Sequence, residues 1–236
     1  MRSTHGSSRF TQRVARLVAL VAVWGVCTLR EGTPPRAPRS LRNRRGATAI
    51  FALALFVAGC DAGGPSFRAT DVTGAQYARD FRLTDHTGTP RTLADYKGRA
   101  VVMFFGYTHC PDVCPTTLAE MKSVLQGLGE DAKRVQVLFV TVDPDRDTRE
   151  VLAQYVPAFD PSFTGLYGDA AATAEVAKEF KVFYQKVPGT SPGSYTVDHS
   201  AGSYVFDPQG RLRLFVRYGT KADDLAADLK RLLAAK

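Results

Sequence analysis

Two cysteines four positions apart, Cys110 and Cys114, are each followed by a proline in the stretch Gly106-Tyr-Thr-His-Cys-Pro-Asp-Val-Cys-Pro115. Proline disfavours the helical region for the residue before it, so both cysteines are expected outside a helix. Pro115 suits a first helical turn, where its missing N–H costs nothing. Downstream, Leu118, Met121, Leu125 and Leu128 recur at helical spacing, which predicts a helix over 115–128. Upstream, Ala100-Val-Val-Met-Phe-Phe105 is an unbroken apolar run and reads as a buried strand. The order is therefore strand, cysteine loop, helix N-terminus. The partial positive charge of a helix N-terminus favours thiolate over thiol. Two thiolates close together can bind a soft metal ion, or they can close reversibly to a disulfide.

The surrounding pattern alternates. Phe81 to Asp85 reads as a short strand before a turn at Thr87-Gly88, and Val135 to Val142 as a second β-rich run. Thr148 caps a helix reaching Val156, and Asp169 caps an alanine-rich helix over 170–180. Tyr195 to Val197 and Ala201 to Phe206 read as two strands or one long one. A turn at Asp207-Pro-Gln-Gly210 precedes the alternating strand Leu212 to Val216. Thr220-Lys-Ala-Asp223 has the form of a capping box for a last helix to Ala235. Strand–helix alternation closed by a hairpin and a helix predicts an α/β, thioredoxin-like fold, a central mixed sheet flanked by helices. The folded domain is expected over 75–236, about 160 residues, enough for one well-buried core.

The formal charge of +8 misleads. Residues 1–59 hold ten Arg and no Lys against the single acid Glu31, so the remainder carries a net charge near −1. With no basic patch of interleaved aromatics and no zinc-finger spacing, nucleic-acid binding is set aside. Residues 1–59 read as a leader. Val14 to Leu29 is a first apolar run, broken by Arg16. The second, Ala47 to Gly59, follows the basic cluster Arg42-Asn-Arg-Arg45 and has the parts of a secretory signal. It is short for a membrane span, which needs roughly 20 apolar residues. Translation is expected to start beyond Met1, near Leu41, so no peptide from residues 1–30 is expected in cells. Residues 60–74, polar and Gly-rich at Asp61 to Ser66, read as a tether.

With Cys27 in the leader and Cys60 at its end, Cys110 and Cys114 are the domain's own cysteines. A structural disulfide is one reading, but so short a loop gives a bridge little entropic leverage. A metal reading needs a third ligand, and His86, His109 and His199 are the candidates. His86, in Asp85-His-Thr-Gly88, reads as a surface turn residue. His109 adjoins Cys110, which makes joint ligation awkward, and His199 on its own reads as an ordinary loop histidine. Asp143, Asp145 and Asp147 crowd after a strand, as hard-cation sites do, but a polar loop leading to the Thr148 cap explains them more simply.

Three segments together resemble the SCO/SenC family, copper proteins of cytochrome c oxidase assembly: Phe105 to Thr116, Thr141-Val-Asp-Pro-Asp-Arg-Asp-Thr148, and Val197-Asp-His-Ser200 followed by Tyr204 and Asp207 to Gly210. The resemblance runs in order over nearly all of 80–235. It implies copper, Cu(I) or Cu(II), held by Cys110, Cys114 and His199. It implies that Asp143 shapes the copper loop or the partner surface without ligating, and Asp198 is a candidate acceptor to orient the His199 imidazole. It also implies a metallochaperone, not an enzyme, with the dinuclear centre of oxidase subunit II as recipient and a periplasmic copper donor as a further partner. The competing class is a thiol–disulfide oxidoreductase using the Cys110–Cys114 pair. Leu55-Phe-Val-Ala-Gly-Cys60 resembles a bacterial lipobox, which implies lipid on Cys60 and a protein anchored on the periplasmic side of the cell envelope.

Overall fold

Ala100–Gly106 (β4) and Val135–Thr141 (β5) are buried at every position, as unbroken apolar runs must be, and they form the middle of the sheet. They lie parallel and in register from Ala100 opposite Val135 to Gly106 opposite Thr141. This computed structural model describes residues 66–235. The one polar side chain among the β5 positions before Thr141, Gln136, is satisfied: it accepts from Arg99 Nη1 at 2.7 Å and donates to the Ser162 carbonyl at 2.7 Å.

The chain builds outward from this pair in both directions. On one side Ser203–Phe206 (β9) pairs antiparallel with β4, Leu212–Val216 (β10) follows as its hairpin partner, and Thr70–Asp71 (β1) closes that edge. On the other, Thr164–Tyr167 (β6) is parallel to β5, and Leu83–Asp85 (β2) and Pro90–Arg91 (β3) continue antiparallel. The result is an eight-stranded mixed sheet in the order β1-β10-β9-β4-β5-β6-β2-β3. Among the described residues, four α-helices accompany it: Val113–Leu128 (α1), Arg149–Phe159 (α2), Ala170–Glu179 (α3) and Ala222–Ala234 (α4). Tyr184–Pro188 (β7) and Tyr195–His199 (β8) form a separate antiparallel hairpin. The predicted α/β thioredoxin-like architecture is the one observed. No helix of the described residues is long and apolar enough to cross a membrane.

Beneath the end of β4 lies an aromatic cluster. Phe105 meets Phe180 at 5.2 Å and Tyr204 at 6.1 Å between ring centroids, and Tyr204 donates its hydroxyl to the Phe180 carbonyl at 2.7 Å. Each fully buried aromatic contributes about 1.5–3 kcal/mol of apolar burial, so the strand end that delivers Gly106 is rigidly backed.

Several local expectations are corrected. Helix α1 begins at Val113, not at 115, and includes Cys114. Pro115 falls at its third position, where the missing N–H still has no intrahelical partner to lose, so the first turn absorbs the cost to the preceding residue. Thr220 forms no capping box: its hydroxyl donates to the Arg217 carbonyl at 2.8 Å to close a turn, and the N-cap position falls to Lys221. The Thr148 and Asp169 caps are present, accepting from Val151 N at 3.4 Å and Ala172 N at 2.8 Å. The strand expected over Phe81 to Asp85 is confined to Leu83–Asp85, and the segments near 195 and 203 are two strands in two different sheets. Folding also starts before Ala75. Asp228 of α4, fully buried, accepts from Arg68 N and Ala69 N at 2.8–3.0 Å and so carries β1 onto the domain. The leader and Cys60 lie outside the described residues.

Candidate metal centre

Cys110, Cys114 and His199 come together at the C-terminal end of β4, their sulfur and nitrogen atoms all within 4.8 Å of one another. Each arrives by a different route. The chain leaves β4 at Gly106 and turns at Tyr107, where Cys110 N donates to the Tyr107 carbonyl at 3.3 Å. Helix α1 then starts, and the free amide of Cys114 in its first turn donates to Cys110 Sγ at 3.4 Å. A helix N-terminus thus aims one of its unpaired N–H groups at a sulfur, as expected for an electron-rich acceptor. The loop is pinned from below by Asp147, wholly buried, which accepts from Thr108 N at 2.9 Å, Thr108 Oγ1 at 2.6 Å and Thr141 Oγ1 at 2.6 Å.

Gly106 makes room for this. A Cβ there would stand 2.8 Å from Cys114 Sγ and 2.9 Å from Phe139 Cε2, so only glycine allows the sulfur so near the strand. Cys114 is fully buried, whereas Cys110 is half-buried. Burial pushes the Cys114 thiol well above its ordinary range, with the Cys110 and Asp147 charges acting in the same direction. Burial and these neighbouring charges thus work against the thiolate that the helix N-terminus favours. A metal ion binding there must displace that proton.

His199 comes from the last position of β8. Its Nδ1 is 3.0 Å from the Ser200 carbonyl, which can only accept, so the proton sits on Nδ1. That leaves the Nε2 lone pair facing Cys114 Sγ at 3.5 Å. The Tyr107 ring stands edge-on to the imidazole at 5.9 Å. Two sulfurs and one imidazole suit a soft ion. Donors at about 2.0–2.3 Å from a common ion lie up to about 4.6 Å apart, so the observed spacing closes with a shift of tenths of an ångström.

The orienting acceptor is the Ser200 carbonyl and not Asp198. Neighbouring residues on a strand point to opposite faces, and Asp198 is exposed while Val197 is buried. Asp143 is fully buried and accepts from Arg146 Nε at 2.5 Å and the Tyr195 hydroxyl at 2.8 Å, contacts that lead to the hairpin and not to the cysteine loop. The three aspartates lie in the loop leading to the Thr148 cap, as expected, with Asp143 and Asp147 buried as interior anchors and exposed Asp145 paired with Lys186. Among the described residues these carboxylates gather into no metal-binding group. His109 is half-exposed, beside Thr108 Oγ1 at 3.1 Å, and outside the cluster. His86 is more than a surface residue: its Nδ1 accepts from Gly165 N at 3.0 Å and ties its turn to β6. Tyr107, Arg146 and Tyr195 carry no spacing signal of their own in the sequence, because only the fold brings Arg146 onto the Tyr107 ring and the Tyr195 ring of β8.

The SCO1/SenC family model matches residues 69–234. The mouse protein "SCO2 homolog, mitochondrial" is 37% identical over 158 residues, covering 66% of this chain and 62% of that protein. The human "SCO1 homolog, mitochondrial" is 35% identical over 151 residues, covering 63% and 50%. The chain thus spans less than two thirds of the length of these relatives. Among solved structures, Bradyrhizobium japonicum ScoI with copper bound is 44% identical with a TM-score of 0.60, covering 65% of this chain and 97% of that one. The apo Sco1 protein of Thermus thermophilus is 42% identical with a TM-score of 0.64, covering 71% and 97%.

Proposed function

Because the chain belongs to the SCO1/SenC family, we propose that it is a copper metallochaperone in which Cys110, Cys114 and His199 hold the ion. The observation that carries this reading is the convergence of two sulfurs and an imidazole nitrogen, from three separate positions in the fold, within 4.8 Å. Copper is the cargo. Relatives bearing the SCO name include a copper-bound structure at 44% identity, and two thiolates with one imidazole are a soft-ion set.

The recipient proposed is the dinuclear copper centre of cytochrome c oxidase subunit II. Transfer proceeds by ligand exchange. Half-buried Cys110 and His199 face the side an incoming thiolate or imidazole can reach, and fully buried Cys114 is the last to let go. Lipid on Cys60 would hold the domain at the periplasmic face of the envelope, and the tether would give it reach.

A second reading is supported by the same sulfurs. Cys110 and Cys114 are both free and close enough to oxidise to a disulfide, so the pair could reduce the recipient's cysteines before metal arrives. Copper titration of the reduced protein decides between them. One tightly bound copper is expected, lost in Cys110→Ser, Cys114→Ser and His199→Ala, with dithiol exchange retained in the histidine variant. A reduced wild type that retains no copper would sink the chaperone reading.

A further inference from the structure

The segment from Asp143 to Thr148 touches both halves of the metal centre. Asp147 fixes the cysteine loop through Thr108. Asp143 and Arg146 face the other way, onto the hairpin that delivers His199. Arg146 stands at the middle of that contact. Its Nε donates to Asp143 Oδ2 at 2.5 Å and its Nη1 to the Tyr195 carbonyl at 2.9 Å. Its guanidinium carbon lies 3.6 Å from the Tyr195 ring centroid and 5.7 Å from that of Tyr107. The Tyr195 hydroxyl closes the circle by donating to Asp143 Oδ1 at 2.8 Å. The remaining Nη2 is buried with no hydrogen-bond partner.

The hairpin has need of such a clasp. Strands β7 and β8 pair with each other and not with the eight-stranded sheet, and Val197 is the one buried residue in them. A two-stranded hairpin is at best marginally stable alone. Its own packing therefore does not fix where its last residue, His199, stands. The cysteines are held independently, by β4, α1 and Asp147. The distance between the imidazole and the sulfurs thus depends on what locks the hairpin to the body: the short run from His199 into β9 at Ser203, the Tyr107 ring on His199, the Lys186–Asp145 pair and, with two hydrogen bonds and a stacked ring at once, Arg146.

We infer that Arg146 is a positioning residue for the centre: it clasps the β7–β8 hairpin so that His199 meets Cys114, and without it the site reverts to a two-sulfur pair. This rests on the Cys110–Cys114–His199 reading above. The task suits arginine in particular. A planar guanidinium donates in a fork and stacks on an aromatic face at once, which a lysine ammonium cannot do.

The test compares Arg146→Gln, Arg146→Lys and His199→Ala in the full chain, titrated with copper(II). It reads affinity, the thiolate-to-copper absorption and, in the same preparations, the reduction potential of the cysteine pair. Arg146→Gln is expected to weaken copper binding about 10–100-fold. Its absorption should move toward that of His199→Ala, with Arg146→Lys in between and the dithiol potential unchanged. Wild-type affinity and absorption in Arg146→Gln overturn the inference. If that variant fails to fold, Tyr195→Ala strips the ring and the hydroxyl from the hairpin side of the clasp, leaving only the Arg146 bond to the carbonyl of residue 195 and the Asp143–Arg146 pair. It must show a smaller loss in the same direction, and wild-type affinity and absorption in it overturn the inference equally. A His199→Ala protein that binds copper like the wild type removes instead the three-ligand reading on which the inference stands.

Discussion

Gly106 shows how much of the metal centre depends on single atoms. Its missing Cβ is the space into which Cys114 Sγ and the Phe139 ring fit, and both of those residues are fully buried with no room to retreat. Gly106→Ala is therefore expected to destabilise the fold by about 1–3 kcal/mol, the usual cost of overpacking. It should also weaken copper binding by displacing the sulfur. Thermal unfolding beside a copper titration checks both, and an unchanged melting temperature would rule out the close approach. The two cysteines were legible because their loop is local: four residues and two prolines confine them whatever the rest of the chain does. Asp198 was misread because adjacency in sequence is opposition on a strand, and a backbone carbonyl, which leaves no mark in a sequence, took its place.

At the level of elements, the contrast lies between strands that bury themselves and strands that are held. β4 and β5 are apolar throughout and were recognised as strands from that alone. β7 is mostly exposed and β1 has two residues, so neither carries a pattern of its own. β1 depends on Asp228, a buried carboxylate of α4 that accepts two backbone N–H groups and also meets Arg231 Nη1 at 3.2 Å. Asp228→Ala leaves those donors unmet, at a cost of about 1–3 kcal/mol. Amide exchange at Arg68 and Ala69 should quicken in this variant while β4 stays protected. Unchanged exchange there would mean that pairing with β10 suffices to hold β1.

Across the whole molecule, the interior is dry enough to dictate an alkaline limit. Burial pushes the Tyr96 hydroxyl up to about 12, and burial likewise raises Tyr204 to about 12. Both groups fold in the neutral form. Above pH 10, the ordinary tyrosine value, the unfolded chain loses these protons and the folded one keeps them. Stability is therefore full below pH 10 and falls as the pH rises toward 12. Melting temperatures should decline across that interval, less steeply in Tyr96→Phe, which removes one of the two groups. A profile flat to pH 12 would contradict the burial.

By itself the sequence determined the central strands, the capped helices, the α/β class and the cysteine loop. Each follows from interactions between residues close along the chain: apolar runs, capping side chains, a proline's fixed geometry. The three-segment resemblance placed His199 with the cysteines, but nothing local to His199 could. Only the tertiary structure decided that Cys114 lies inside the helix and is fully buried, where desolvation opposes its charged form. Only it decided that Ser200 orients the imidazole, and that the hairpin carrying His199 stands outside the main sheet, clasped by Arg146. Those outcomes are set by desolvation and by contacts between loops that are distant in sequence, and such contacts exist only once the sheet has brought the loops to one end.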